Sequence, residues 1–247
     1  QFISKGGSRT KRLGVIGGLG PIATAYFFEL IIKMTDAERD QEHIEMLIHS
    51  KPQIPDRTDY ILGKSAASPL PDMIDMGNAL ADMGADYIAI PCITAHYFQE
   101  ELIRGIRAPI INIIKETVDY LINYDIKRIG IMATEGTIYG SMFQKQLAKH
   151  GLTPIIPSHK QQDNISSLIY NCVKANRPVR MDMFLEAAGE LKANGAEVII
   201  LACTELSIIK RDYDIGRGFI DAMEVLAMRS LQLCGANIKK EYNCLIT

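Results

Sequence analysis

A chain of 247 residues, 47% hydrophobic and 23% charged, is long enough for two domains of about 100–130 residues, each with its own core. A formal net charge of −2 with scattered Lys and Arg excludes a basic stripe for nucleic acid and a general attraction to anionic membranes. There is no apolar run of the ~18 residues that a membrane helix needs and no secretory signal, and five unclustered cysteines point to a reducing, cytoplasmic setting without a disulfide framework.

Residues 1–10 are polar and Gly/Ser-containing, and are expected to be a disordered lead-in or an expression remnant outside the fold. Strand 13–16 runs into the turn Gly17-Gly18-Leu19-Gly20. A helix then opens on Pro21, a favoured first helical residue, and continues to about 33. A strand near 44–48 is followed by a polar, proline-rich loop over 51–59. Helix 71–83 carries Met73, Ile74, Met76, Leu80 and Met83 on roughly one face. A buried strand then ends at Cys92, followed by a helix over 95–104, a short strand at 109–111 and a helix over 113–123. The second half continues with strand 129–133, helix 139–150, strand 153–156, helices 164–175 and 181–194, and a strand ending at Cys203. A short strand at 218–220 and a helix over 222–234 close the chain.

Alternating strands and helices of this kind predict an α/β fold with parallel sheets covered on both faces. Two segments are near-repeats. Gly84-Ala85-Asp86 opens an apolar run that ends at Cys92, and Gly195-Ala196-Glu197 opens one that ends at Cys203. Lys11-Arg12-Leu13-Gly14-Val15-Ile16 is echoed by Lys127-Arg128-Ile129-Gly130-Ile131-Met132 at a similar offset. Two copies of this size mean paired domains, since a solenoid needs at least about three shorter repeats. The first half lacks a last element, so the final helix should pack back on it. Residues 11–108 plus 217–247 then form the first domain and 109–216 the second.

Gly18-Leu19-Gly20-Pro21-Ile22-Ala23 matches the dinucleotide-binding pattern G-x-G-x-x-A, but the next strand ends in His49-Ser50 where an acid should hold a ribose. A tight turn presenting backbone N–H groups to a small carboxylate suits it better. Cys92 and Cys203 fall at carboxyl ends of strands, where open α/β sheets bind ligands. Each precedes a helix start whose dipole would favour a thiolate. Cys172, Cys234 and Cys244 have no such setting and read as small hydrophobes. No CxxC or close Cys/His pair suggests a metal. Cys244-Leu245-Ile246-Thr247 fits a prenylation box only superficially, because Thr is not a usual last residue.

Gly17-Gly18-Leu19-Gly20-Pro21, Pro91-Cys92-Ile93-Thr94-Ala95-His96 and Ala202-Cys203-Thr204-Glu205-Leu206 together resemble the aspartate/glutamate racemase family across about residues 11–236. The resemblance implies two similar domains related by a pseudo-twofold, with the site between them. It also implies no cofactor, a small amino-acid substrate and a homodimer. One thiolate would take the Cα proton while the opposite thiol returns one to the other face. Arg57 resembles the family's loop arginine that meets a carboxylate, and Lys174 the family's lysine near the second cysteine. Backbone N–H groups of Thr94 and Ala95, with Thr204 and Glu205, complete the expected substrate contacts. His96 is placed either as an orienter of the first cysteine loop or at the surface. Asp56 reads as ordinary loop charge.

One departure concerns Ile93, where the family usually has Asn, so an amide able to bind a carboxylate becomes an alkyl group. Glu205 fits the aspartate-type subgroup. The expectation is a cofactor-independent racemase of an acidic amino acid. The rivals are a related isomerase, hydantoin racemase or decarboxylase, a catalytically silent carboxylate-binding protein, and a nicotinamide enzyme.

Overall fold

The computed structural model describes residues 10–247, so the expected lead-in, Thr10 apart, lies outside the described residues. The first half contains β1 (Leu13–Gly17), α1 (Pro21–Met34), β2 (Met46–Ser50), α2 (Arg57–Ile61), α3 (Leu70–Asp82), β3 (Tyr87–Ala89), α4 (Gln99–Gly105) and α5 (Ile113–Leu121). The second contains β4 (Arg128–Ala133), α6 (Glu135–Tyr139), α7 (Met142–Lys149), β5 (Thr153–Ile155), α8 (His159–Ser167), α9 (Met181–Ala193), β6 (Val198–Ala202), α10 (Thr204–Asp212), β7 (Phe219–Asp221) and α11 (Ala222–Cys234). Both sheets are parallel, ordered β2-β1-β3 and β5-β4-β6-β7. In each, the first strand takes the centre, the next pairs on one side and the cysteine-bearing strand on the other. Ile110 bridges Ile88 where β7 lines up beside β6.

The repeated Gly-Ala-acid segment is a structural device, used twice. Gly84 and Gly195 leave helices α3 and α9 in the left-handed region, at φ +90° and +93°, where a residue without Cβ carries no penalty. Asp86 then accepts the backbone N–H of Arg12 at 2.7 Å, and Glu197 that of Arg128 at 2.8 Å. Each arginine returns a guanidinium bond to the preceding helix end, Arg12 to the Met83 carbonyl and Arg128 to that of Asn194, both at 2.9 Å. The alanines pack against Gly14 and Gly130. A Cβ on Gly14 would meet Ile88, Ala85 and Leu80, and one on Gly130 would meet Ile199, Ala196 and Leu191. These are corresponding residues of the two halves, so helix and sheet approach equally closely in both.

Strands β1 and β6 are buried at every residue, as continuous apolar runs covered on two faces should be. Helix α1 opens with Pro21 after Gly20 and buries Phe27, Leu30, Ile31 and Met34. One apolar core runs through both halves, taking in Phe27, Val118, Phe143, Phe184 and Leu226. A smaller one lies under the first sheet around Met73, Ile88 and Leu102. Among the described residues no helix is long and apolar enough to cross a membrane.

Local structure departs from the sequence reading in four places. The proline-rich loop ends early, because Asp56 caps α2 by accepting the Asp59 N–H at 3.0 Å. The expected helix 139–150 is two helices, broken at Gly140-Ser141 with Ser141 left-handed at φ 52°. The expected helix 164–175 begins earlier and widens into a π-helical turn over Leu168–Val173. Residues 217–247 are shared between the halves: β7 extends the second sheet, while α11 packs on α1 and α5.

Candidate active site

Cys92 follows β3 and Cys203 follows β6, so the duplicated topology delivers one thiol from each sheet edge, 6% and 5% exposed. Both line one closed chamber whose free volume of about 10 Å³ suits a single water. Among the residues singled out from sequence, Arg57, Ile93, Thr94, Lys174, Thr204 and Glu205 share that lining with the two cysteines. Ala95 does not; it is buried in the core beneath Cys92.

The two thiols have different surroundings. Cys92 sits on a loop pinned by His96, which is 4% exposed. Its Nδ1 lies 2.9 Å from the Cys92 carbonyl and its Nε2 3.5 Å from that of Ile111. Burial lowers the His96 pKa, so a neutral ring donates from Nδ1 to Cys92, and the orienting placement replaces the surface one. The segment after Cys92 is a 3-10 turn, Thr94–Phe98, and α4 starts only at Gln99. The helix expected to activate this thiol is therefore displaced along the chain.

Cys203 does cap a helix, α10, yet its pKa is pushed well above the ordinary thiol value. Burial is the larger cause and the Glu205 carboxylate the next; together they outweigh the helix dipole. Its Sγ donates to Glu205 Oε2 at 3.0 Å. The other carboxylate oxygen, Oε1, lies 3.1 Å from Lys174 Nζ, an ion pair without an aligned hydrogen bond.

Arg57 is 6% exposed at the start of α2. It donates to the carbonyls of Pro55 at 3.1 Å and Ile54 at 3.4 Å. Burial works against its charge, but Cys92, Asp56 and Glu205 more than offset that and raise its pKa. Its Nε has no hydrogen-bond partner among the described residues. Lys174 is also held charged, its desolvation offset by Glu205, Cys203 and Cys92.

The sequence reading missed several lining residues. Thr134 follows β4, and its hydroxyl joins those of Thr94 at 2.9 Å and Thr137 at 3.1 Å, tying the first cysteine loop to the second half. Its strand-end position was a usable signal. Asp56, read as ordinary charge, both caps α2 and lines the chamber. Tyr170 lines it too, its hydroxyl 3.5 Å from Asp56 Oδ1; its direction is set by the π turn, which no periodicity announces. The glycine turn contributes Leu19 to the lining, but the Gly18 N–H is used by Thr24 Oγ1 at 2.9 Å and is not free for an anion.

The sequence profile of Asp/Glu/hydantoin racemases matches residues 16–229. The chain belongs to this family. It is thus an enzyme of the isomerase class, an amino-acid racemase by family. It is 30% identical over 222 residues to the broad specificity amino-acid racemase RacX of Bacillus subtilis (strain 168), a match spanning 87% of this chain and 94% of that protein. An aspartate racemase structure from Picrophilus torridus superposes with a TM-score of 0.81 at 30% identity, covering 94% of this chain and 97% of the other. A glutamate racemase from Bacillus anthracis shares the fold at TM-score 0.66 and 16% identity, covering 92% of this chain and 83% of the other. The racemase fold thus extends to relatives far apart in sequence.

Proposed function

We propose that the chain racemises a free α-amino acid by holding its Cα between Cys92 and Cys203. The observation that carries this reading is a pair of thiols at corresponding strand ends of a duplicated fold, lining one closed chamber. Inversion through a planar carbanion needs a base on one face and an acid on the other, exchanging roles with the hand of the substrate. The charge that develops on the α-carboxylate must be met by fixed donors. Arg57 suits that task, with an unpartnered Nε inside the chamber. When Cys203 is to act as base, Glu205 is placed at 3.0 Å to receive its proton. A dry chamber strengthens each of these interactions.

Aspartate and glutamate, the substrates implied by the motif resemblance, supply the first assay. Each enantiomer is incubated with the protein in deuterated water and Cα exchange is followed by NMR. Deuterium entering with loss of optical rotation supports the reading. Ligand-dependent stabilisation without exchange in any amino acid would replace it with a silent binding protein. The homodimer implied by the resemblance is checked by light scattering. A cytoplasmic setting suits a site that needs its thiols reduced.

A further inference from the structure

The thiol chamber does not stand alone. A second cavity of about 530 Å³ opens beside it, and Asp56, Arg57, Lys174 and Glu205 line both. These four form a neck between a closed chamber and a wide vestibule. The glycine turn forms another side of this neck, since a Cβ on Gly20 would lie 3.4 Å from Glu205 Oε1 and 3.8 Å from Lys174 Nζ. Away from the neck the chamber is walled by Ile93, Thr94, Thr134 and Thr204, each 5% exposed or less. With the sulfurs on the two faces of Cα, its carboxylate, ammonium and side chain must share the plane between them. The close-packed inner wall suits the two small groups, and only the neck leads to space for a side chain of any length.

Charge narrows the class further. The neck holds two cations and two carboxylates, and each cation is already answered: Lys174 by Glu205 at 3.1 Å, Arg57 by Asp56, Cys92 and Glu205. A carboxylate on the side chain would have to displace Glu205 from Lys174. Beyond the neck the walls include Pro21, Ile22, Ile54 and Val173, all hydrocarbon.

We propose that the vestibule is the side-chain subsite, and that it makes long, uncharged amino acids substrates, with Ile22, Ile54 and Val173 as the contacts that set preference. This inference rests on the racemase reading. A closed pocket rejects one extra methylene by about 10-fold or more, whereas a hydrocarbon-walled vestibule gains up to about fourfold for each methylene it buries.

The test is kcat/KM for deuterium exchange along alanine, 2-aminobutyrate, norvaline and norleucine, with glutamine set against glutamate. The expected result is a value that holds or rises along the series, and glutamine exceeding glutamate. Ile22→Asp, at a position 44% exposed and tolerant of substitution, should lower the norleucine-to-alanine ratio at least about threefold, roughly the worth of one buried methylene. A tenfold fall at any step of the series, an unchanged ratio in Ile22→Asp, or glutamate exceeding glutamine tenfold overturns the subsite while leaving the racemase standing. No exchange in any amino acid overturns both.

Discussion

Lys174 and Glu205 form the most enclosed ion pair of the site, their side chains 24% and 3% exposed. Replacing Lys174 by Met leaves the Glu205 carboxylate desolvated without its partner. Orphaning one member of a buried pair costs about 3–5 kcal/mol. Arg57 also faces Glu205, and Lys174 keeps some access to water, so the expected loss is about 2–3 kcal/mol on that scale. Glu205→Gln alone should cost less, because the remaining ammonium can reach solvent. In Lys174→Met/Glu205→Gln no charge is orphaned, and at least about 1 kcal/mol of the single losses should return as coupling. Urea unfolding of the wild type, both singles and the double closes the cycle by linear extrapolation. Additivity within about 0.5 kcal/mol would refute the reasoning and reduce the pair to a solvated contact.

Cys92→Ala and Cys203→Ala should each lose at least about 10³-fold in racemisation, the scale on which positioned acid–base groups act; near wild-type turnover by either would end the two-thiol scheme. Because burial and Glu205 hold Cys203 protonated, its alkylation by iodoacetamide should accelerate with rising pH, and Glu205→Gln should speed it at neutral pH. Mass-spectrometric mapping reads the rate, and an unchanged or slower rate would show that Glu205 does not hold that proton. Behind α10, burial and Asp221 raise the Glu224 carboxyl from 4.5 to about 7 beside Lys210. The folded state binds this proton more tightly than the unfolded one, so the stability it confers is present below pH 4.5 and lost as pH rises to about 7. The change is about 3 kcal/mol, and a denaturation series in which Glu224→Gln keeps the same slope would contradict it. Gly14→Ala brings its Cβ to 2.9 Å from Ala85 Cβ, whereas Gly130→Ala stops 3.1 Å from Ala196 Cβ. The first should destabilise by about 1–3 kcal/mol and the second by less, as thermal unfolding would show; the reverse order would mean the two halves do not pack alike.

The fold was legible because its signals are local or repeated. Gly84-Ala85-Asp86 and Gly195-Ala196-Glu197 mark helix exit, packing contact and strand tie in the same order, so the duplication could be read without coordinates. The strand-end cysteines followed from it. What stayed hidden depends on where the backbone turns next. A π turn aims Tyr170 inward, and a left-handed Ser141 splits a helix whose apolar pattern runs straight through it. Asp56 resembles any loop carboxylate until its cap with Asp59 and its place beside Arg57 are seen. The thiol chemistry was misjudged for a related reason. A helix start can be read from Thr204-Glu205-Leu206, but the desolvation that opposes its dipole comes from residues distant in sequence.

Duplication alone gives two equivalent thiols, and equivalence is not sufficient for the reaction. To move a proton across Cα, one sulfur must begin without its proton and the other with it. The scaffold places them alike, at the ends of β3 and β6. The residues that follow separate them. After Cys92 the chain enters a 3-10 turn braced by His96, and its sulfur faces the Arg57 guanidinium. After Cys203 it enters α10, whose second residue is Glu205, an acceptor for the Cys203 proton. A cation beside one sulfur and a carboxylate beside the other favour opposite protonation states. The pseudo-twofold therefore supplies the geometry of inversion, and its local breakdown at Arg57 and Glu205 supplies the single proton that inversion has to pass from one side to the other.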